Sequence, residues 1–308
     1  MPQDRPIIGI ILMLGFCLLA PLADAIAKTL GTSVPLGQVV MIRFALQVLL
    51  LMPLVWVSGR IWRMQGKVFL LVLLRTVLHI AGIATMFTAL TYLPLADAVA
   101  IAFVMPFFML LLGRFVLNEE VGARRMMACS VGFVGTLLVV QPSFATVGWP
   151  AFLPVAVAAI FSVFMLITRQ IAKQTDPISL QAVSGFMAMA LMAPFLAFGV
   201  LWEVPPLGIT APDTQQWMLL LGLGVLGTVA HLLMTWSLRY APSATLAPMQ
   251  YLEIPFATLL GLLVFGEFPN RLACLGIAIT IVAGLYVIQR ERAIARTLAA
   301  QELIQAAA

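Results

Sequence analysis

The sequence predicts an all-α membrane protein: ten transmembrane helices arranged as two inverted five-helix repeats. Three observations predict it. The composition is too apolar for a water-soluble core, the chain divides into ten apolar runs with basic residues on alternate connections, and its two halves resemble each other at an offset of 148 residues. Of the 308 residues, 63% are hydrophobic and 9% charged. Soluble domains carry about 45–50% and about 25% respectively. Surface-to-volume scaling forbids a chain of this size from hiding the excess from water, whereas lipid turns each run of roughly 20 apolar residues into a spanning helix.

Taken in order, the runs bounded by proline, glycine and charge are 7–30, 38–57, 68–92, 95–117, 125–140, 149–169, 178–201, 214–239, 242–265 and 270–289. The first is too long for the apolar region of a cleaved leader and contains Asp24 and Lys28, so it is expected to remain as a span. The fifth is the shortest. The connections are short, which makes neighbouring helices antiparallel hairpins. The expected units are 1–145 and 146–290, followed by a cytoplasmic tail at 291–308.

Orientation follows from the basic residues. Alternate connections hold Arg5; Arg60, Arg63 and Lys67; Arg114, Arg124 and Arg125; Arg169 and Lys173; Arg239; and Arg290, Arg292 and Arg296. The opposite connections hold only Arg271, with Lys28 near that end of the first span. This asymmetry supports an even number of spans, with both termini expected in the cytoplasm. It also accounts for the net charge of +5 as topology, which argues against nucleic-acid binding. Trp56, Trp62, Trp149, Trp202 and Trp217 fall near span ends, as an aromatic belt does. Cys17, Cys129 and Cys274 lie inside apolar runs without metal-ligand spacing, and read as small buried hydrophobes.

The internal repeat is the most informative feature. Tyr92, Pro94 and Ala96 match Tyr240, Pro242 and Ala244. Phe108, Leu111, Leu112, Gly113, Val116 and Glu119 match Phe256, Leu259, Leu260, Gly261, Val264 and Glu267, and matches continue to Gln141 and Gln289. Each copy holds five spans. An odd number inverts the second copy in the membrane, the architecture that supports alternating access in many secondary transporters. Small residues also recur every fourth position, at Ala128, Gly132 and Thr136 and again at Gly276, Thr280 and Gly284. They suit close helix packing within the chain, with a homodimer contact as the alternative.

Ionisable groups at membrane depth are costly and tend to face an interior cavity. Glu253 ranks first. It lies between Pro248 and Pro255, which each remove a helical hydrogen bond, so its carboxylate is a candidate for a cationic group or a proton. Arg75 is the second choice, for a substrate anion or as structural glue. His79, His231, Gln250, Tyr251 and Trp236 complete the candidate substrate contacts, with Phe103 and Phe107 as further stacking surfaces. Asp24, Lys28, Arg43 and Asp97 are candidate proton or charge-pair groups. Asp24 and Lys28 are four residues apart, in reach of each other on one helix face. No metal set, cofactor motif or catalytic constellation appears. Gly222-Leu-Gly-Val-Leu-Gly227 has the form of a dinucleotide loop but lies inside an apolar span with no preceding strand.

These motifs resemble the drug/metabolite transporter superfamily, in particular its EamA-type ten-span group. The resemblance rests on Ala23-Asp24-Ala25-Ile26-Ala27-Lys28, Arg43-Phe44, Arg75, Tyr92-Leu93-Pro94, Pro106 through Glu119, and Ala247-Pro248-Met249-Gln250-Tyr251-Leu252-Glu253 through Glu267. The last string is similar to the branch holding S-adenosylmethionine uptake carriers and, more loosely, riboflavin carriers; amino-acid exporters also belong to the superfamily. The resemblance implies a secondary carrier of a small organic metabolite, multi-pass in the bacterial inner membrane, working by alternating access with proton coupling as an option. It implies a cavity lined by spans one, three, four, six, eight and nine. Arg75, His79, His231 and Glu253 would then be near the solute, and Asp24 and Arg43 near its outer end. The competing expectations are an integral-membrane enzyme and a non-transport membrane subunit.

Overall fold

In hydrocarbon every backbone amide must find a partner within its own segment, so apolar runs of this length become helices. The computed structural model describes residues 5–60, 63–116, 118, 122–283, 285, 286, 289, 290 and 293, and these contain helices and loops but no strand. Of the expected tail, only Ala293 lies within the described residues, and Glu119 lies outside them.

The chain runs through α1 (Pro6–Leu30), α2 (Leu36–Val57), α3 (Gly66–Leu90), α4 (Leu95–Ala102), α5 (Met105–Val116) and α6 (Ala123–Val147). A three-ten turn at Trp149–Phe152 then leads into α7 (Leu153–Ala172), α8 (Pro177–Leu201) and α9 (Thr214–Tyr240). The short α10 (Ser243–Leu246) and a three-ten stretch, Ala247–Leu252, precede α11 (Glu253–Phe265), and the apolar helix Arg271–Ala283 follows as α12. Seven segments are long and apolar enough to cross a membrane, and Met126–Leu138, Met249–Phe265 and Arg271–Ala283 supply three shorter ones. The result is the ten-span, two-repeat architecture. Leu49, Leu54, Phe186, Phe195, Phe198 and Leu263 are among the large apolar side chains on the outer surface, where lipid is their solvent.

The pairing of helices carries the inverted symmetry. α1 packs on α9, and α3 packs on α7, so span one meets span eight and span three meets span six. Exchanging the repeats converts one contact into the other. The contacts of α2 with α8 and of α4 with α11 map onto themselves. Spans five and ten also meet, because a Cβ added to Gly135 would lie 2.7 Å from the Gly276 carbonyl and 2.8 Å from Thr280. Part of the small-residue ladder therefore serves packing within the chain.

Two spans expected to be continuous are broken. Span four stops at Ala102 and restarts at Met105; span nine winds as a three-ten helix up to Leu252. Pro106 and Pro255 have no amide hydrogen to return to the fourth residue before them, which loosens the helix there. The breaks coincide in the repeat: Phe103 and Tyr251 are 148 residues apart, and their rings meet at 5.7 Å between centroids. The pseudo-twofold axis passes between them.

Candidate functional site

Next to the crossing of the two broken spans is a cavity. Phe16, Ala20, Ala23 and Asp24 of α1, Arg43 of α2, and Ile83, Met86 and Phe87 of α3 contribute to its wall. Val99, Ala102, Phe103 and Met105 line it from span four, Val157, Phe161 and Met165 from α7, Gly227, Ala230, His231 and Met234 from α9, and Glu253 from the start of α11. The wall is mostly apolar, with four phenylalanines and four methionines in it, and has four polar side chains: Asp24, Arg43, His231 and Glu253. Both halves of the chain build it, and each broken span contributes residues at its break.

Glu253 is 8% exposed. It is the residue at which the three-ten stretch turns α-helical, so the irregular backbone delivers its carboxylate to the cavity wall. Neither Glu253 nor Asp24 forms a hydrogen bond or ion pair with any described residue. Arg43 donates from Nη2 to His231 Nδ1 at 3.0 Å, and its guanidinium carbon lies 5.0 Å from the Phe44 ring centroid. Gly227 makes room for it, since a Cβ there would come within 2.8 Å of Arg43 Nε. Gly224, its neighbour in the dinucleotide-like string, similarly faces Leu46. Those glycines let α2 and α9 approach closely.

Several expected contacts lie elsewhere. Arg75 is fully buried away from the cavity. It donates to Thr168 Oγ1 at 2.8 Å, Ser184 Oγ at 2.9 Å, Gln181 Oε1 at 3.2 Å and Thr235 Oγ1 at 3.4 Å. The ring of Phe164 covers it at 4.5 Å. Thr168 and Thr235 each donate to the carbonyl four residues back, which turns their lone pairs toward the guanidinium. Arg75 thus joins α3 to α7, α8 and α9, and in this state its reading as structural glue fits and that as a solute contact does not. His79, one turn further along α3, is one layer behind the cavity, with its ring 4.4 Å from His231 and 4.8 Å from Phe164.

Tyr251 is turned away from the cavity because Gly132 leaves room for its ring and the Cys129 carbonyl accepts its hydroxyl at 3.3 Å. Gln250 is buried with its Nε2 3.2 Å from Met165 Sδ. Trp236 is half-buried on α9 and Asp97 half-buried in the first turn of α4, neither on the cavity wall. Phe107 stacks on Phe133 at 5.4 Å. Lys28 does not pair with Asp24. It reaches the Glu267 carboxylate at 2.6 and 2.8 Å and the Leu93 carbonyl at 3.1 Å. Glu267 also accepts the Leu95 amide at 3.1 Å and so caps α4 of the opposite repeat, a role that the string ending in Glu267 could have suggested. Phe87, Phe161 and Met165 were missed because nothing in an apolar run distinguishes a residue facing a cavity from one facing lipid.

The chain is similar to a riboflavin transporter of Brucella anthropi, 28% identical over 86% of this chain and 92% of the relative. It is also similar to an S-adenosylmethionine uptake transporter of Rickettsia bellii, 28% identical over 87% of this chain and 89% of the relative. A crystal structure 20% identical in sequence shares the fold with a TM-score of 0.68, over 90% of this chain and 94% of that one. The model of the EamA-like transporter family matches twice, at residues 7–141 and 148–289. The double match follows the two repeats, and a ten-span chain with a cavity at their seam is a membrane transporter that belongs to the EamA-like transporter family.

Proposed function

We propose that this protein is a secondary carrier that moves a small organic metabolite across the bacterial inner membrane by alternating access. The observation that carries the reading is the position of the cavity. It lies at the seam of two inverted repeats, at the breaks of spans four and nine, and holds two carboxylates, Asp24 and Glu253, that form no hydrogen bond or ion pair among the described residues. Units 1–145 and 146–290 would rock against each other about the axis between Phe103 and Tyr251. With both termini cytoplasmic, the cavity belongs to the outward-facing side. The Arg75 network closes the other end, with Arg169 donating to the Leu238 carbonyl and Arg239 to the Thr175 carbonyl. Turnover to the inward-facing state requires these contacts to open and the Lys28–Glu267 side to close further.

S-adenosylmethionine and riboflavin are the first solutes to test, by analogy with the named relatives, and amino acids the next. Glu253 is the group proposed to take the cationic part of the solute or the coupled proton. Uptake of labelled solute into liposomes containing the purified protein, with and without an imposed pH gradient, tests both ideas. Accumulation of one solute supports the carrier. Loss of the gradient dependence in a folded Glu253→Gln variant supports proton coupling, and unchanged dependence removes Glu253 from that role.

A further inference from the structure

A second cleft lies between α3 and α8 and shares no lining residue with the seam cavity. Phe69 and Leu73 of α3 form one wall, Phe186, Met187 and Ala190 of α8 the other, and Arg63 lines it from the connection before α3. Phe69, Phe186 and Ala190 are exposed, so the cleft opens to the lipid. Behind it, Met187 packs on the buried Val72, Ile171 and Leu180.

Exchanging the repeats maps this seam onto the one between α9 and α2. There Gly224 and Gly227 let the helices close, since a Cβ would fall 2.3 Å from Leu46 and 2.8 Å from Arg43. Gly82 of α3 instead meets Phe161 of α7, and Gly185 and Gly199 of α8 meet Val48 and Leu207. No described glycine draws α3 and α8 together, and their seam stays open where its counterpart is shut. Both walls start on the same side of the membrane, because Arg60, just before α3, pairs with Asp176, the N-cap of α8. Residues 58–67 on that side hold Arg60, Arg63 and Lys67 and no acidic residue. Leu73 lies about 11 Å along α3 from Gly66, and Ala190 about 20 Å along α8 from Pro177. The hydrocarbon core is about 30 Å thick, so the cleft is about one leaflet deep with a basic entrance.

An apolar void beside hydrocarbon forfeits the dispersion contacts of its walls, and an acyl chain restores them. Basic residues at a membrane surface attract anionic headgroups, and the guanidinium fork suits a phosphate. We propose that the α3–α8 cleft binds one anionic phospholipid of the adjoining leaflet, with an acyl chain between the Phe69 and Phe186 walls and the headgroup phosphate at Arg63. The first unit supplies α3 and the second α8, so the lipid is held by both repeats. This rests on the membrane-spanning fold and not on the carrier reading.

The full chain is reconstituted in liposomes with a trace of phosphatidylglycerol that carries a photoactivatable diazirine midway along one acyl chain, and the crosslinks are mapped by peptide mass spectrometry. The expected result is labelling concentrated at Phe69 to Leu73 and Phe186 to Ala190. Unlabelled phosphatidylglycerol should displace it at concentrations roughly fivefold lower than phosphatidylcholine does, the value of one basic residue at the surface. Ala190→Trp fills the cleft and should remove this labelling, while Leu49 and Leu263, on lipid-facing surfaces elsewhere, stay labelled as a check on the fold. Arg63→Gln changes an exposed residue and leaves the walls intact, and it should make the two competitors equal. Labelling spread evenly over the lipid-facing helices overturns the site. So does equal displacement by both lipids in the wild type, or a preference that survives Arg63→Gln. None of these readouts involves solute uptake, so failure here is separable from failure of the carrier reading.

Discussion

Two buried arginines, Arg43 and Arg75, lie in regions that a composition-based reading treats alike, yet their surroundings differ. Arg75 has four neutral acceptors drawn from α7, α8 and α9, and a ring over its face. Arg43, on the cavity wall, has one imidazole and one ring, and its Nη1 has no hydrogen-bond partner among the described residues. A satisfied buried charge holds helices together. A half-satisfied one at a cavity wall is a candidate for contact with a solute. Between these two arginines, the degree of hydrogen-bond satisfaction, more than burial or charge, is what differs.

The largest expected effect lies on the scaffold side. Arg75→Ala strands Gln181 Oε1 and opens a void between four helices, and should lower stability by about 3 kcal/mol. Thermal unfolding in detergent checks it, and an unchanged melting temperature would remove Arg75 from the scaffold. Next, Arg43→Gln should reduce kcat/KM for uptake by at least about tenfold, the value of one charge-assisted hydrogen bond, with little change in melting temperature. A large stability loss there would erase the contrast between the two arginines.

Packing gives a smaller effect. Gly132→Ala places a Cβ 2.5 Å from the Tyr251 ring and should cost about 1–3 kcal/mol through overpacking, which a paired Tyr251→Phe variant does not relieve because the ring remains. The smallest effect is expected at the outer mouth. The Lys28 and Glu267 side chains are 15% and 30% exposed, so Lys28→Ala should cost about 1 kcal/mol or less. A larger loss would mean that the pair controls the population of the cavity-bearing state.

Much of the fold was legible in the sequence because it depends on quantities that composition records directly. Run length sets the spans, Lys and Arg placement sets the alternation, and the matched strings from Tyr92 and Tyr240 set the repeat. The breaks in spans four and nine were half-legible: Pro248 and Pro255 flagged the second, while Pro106, one residue off register, understated the first. The site was less legible. Glu253, His231, Asp24 and Arg43 are on the cavity wall, but Arg75, Tyr251 and Trp236 have the same residue chemistry and point elsewhere. Helix rotation decides between them, and in a span that is apolar on every face no periodic pattern records the rotation. The partner of Lys28 was missed for a different reason: Glu267 is 239 residues away, and only the three-dimensional exchange of repeats brings it there.

The central claim is that the seam cavity is the solute site of a carrier and that Arg43, not Arg75, reads the solute. Uptake into liposomes of whichever labelled solute the wild type accumulates, S-adenosylmethionine and riboflavin being tried first, by wild type, Arg43→Gln and Arg75→Lys, each reconstituted at equal amounts of folded protein, tests it most directly. The account predicts uptake by wild type and Arg75→Lys, with loss of at least about tenfold in Arg43→Gln. Uptake by Arg43→Gln equal to wild type, with Arg75→Lys inactive though folded, would contradict it.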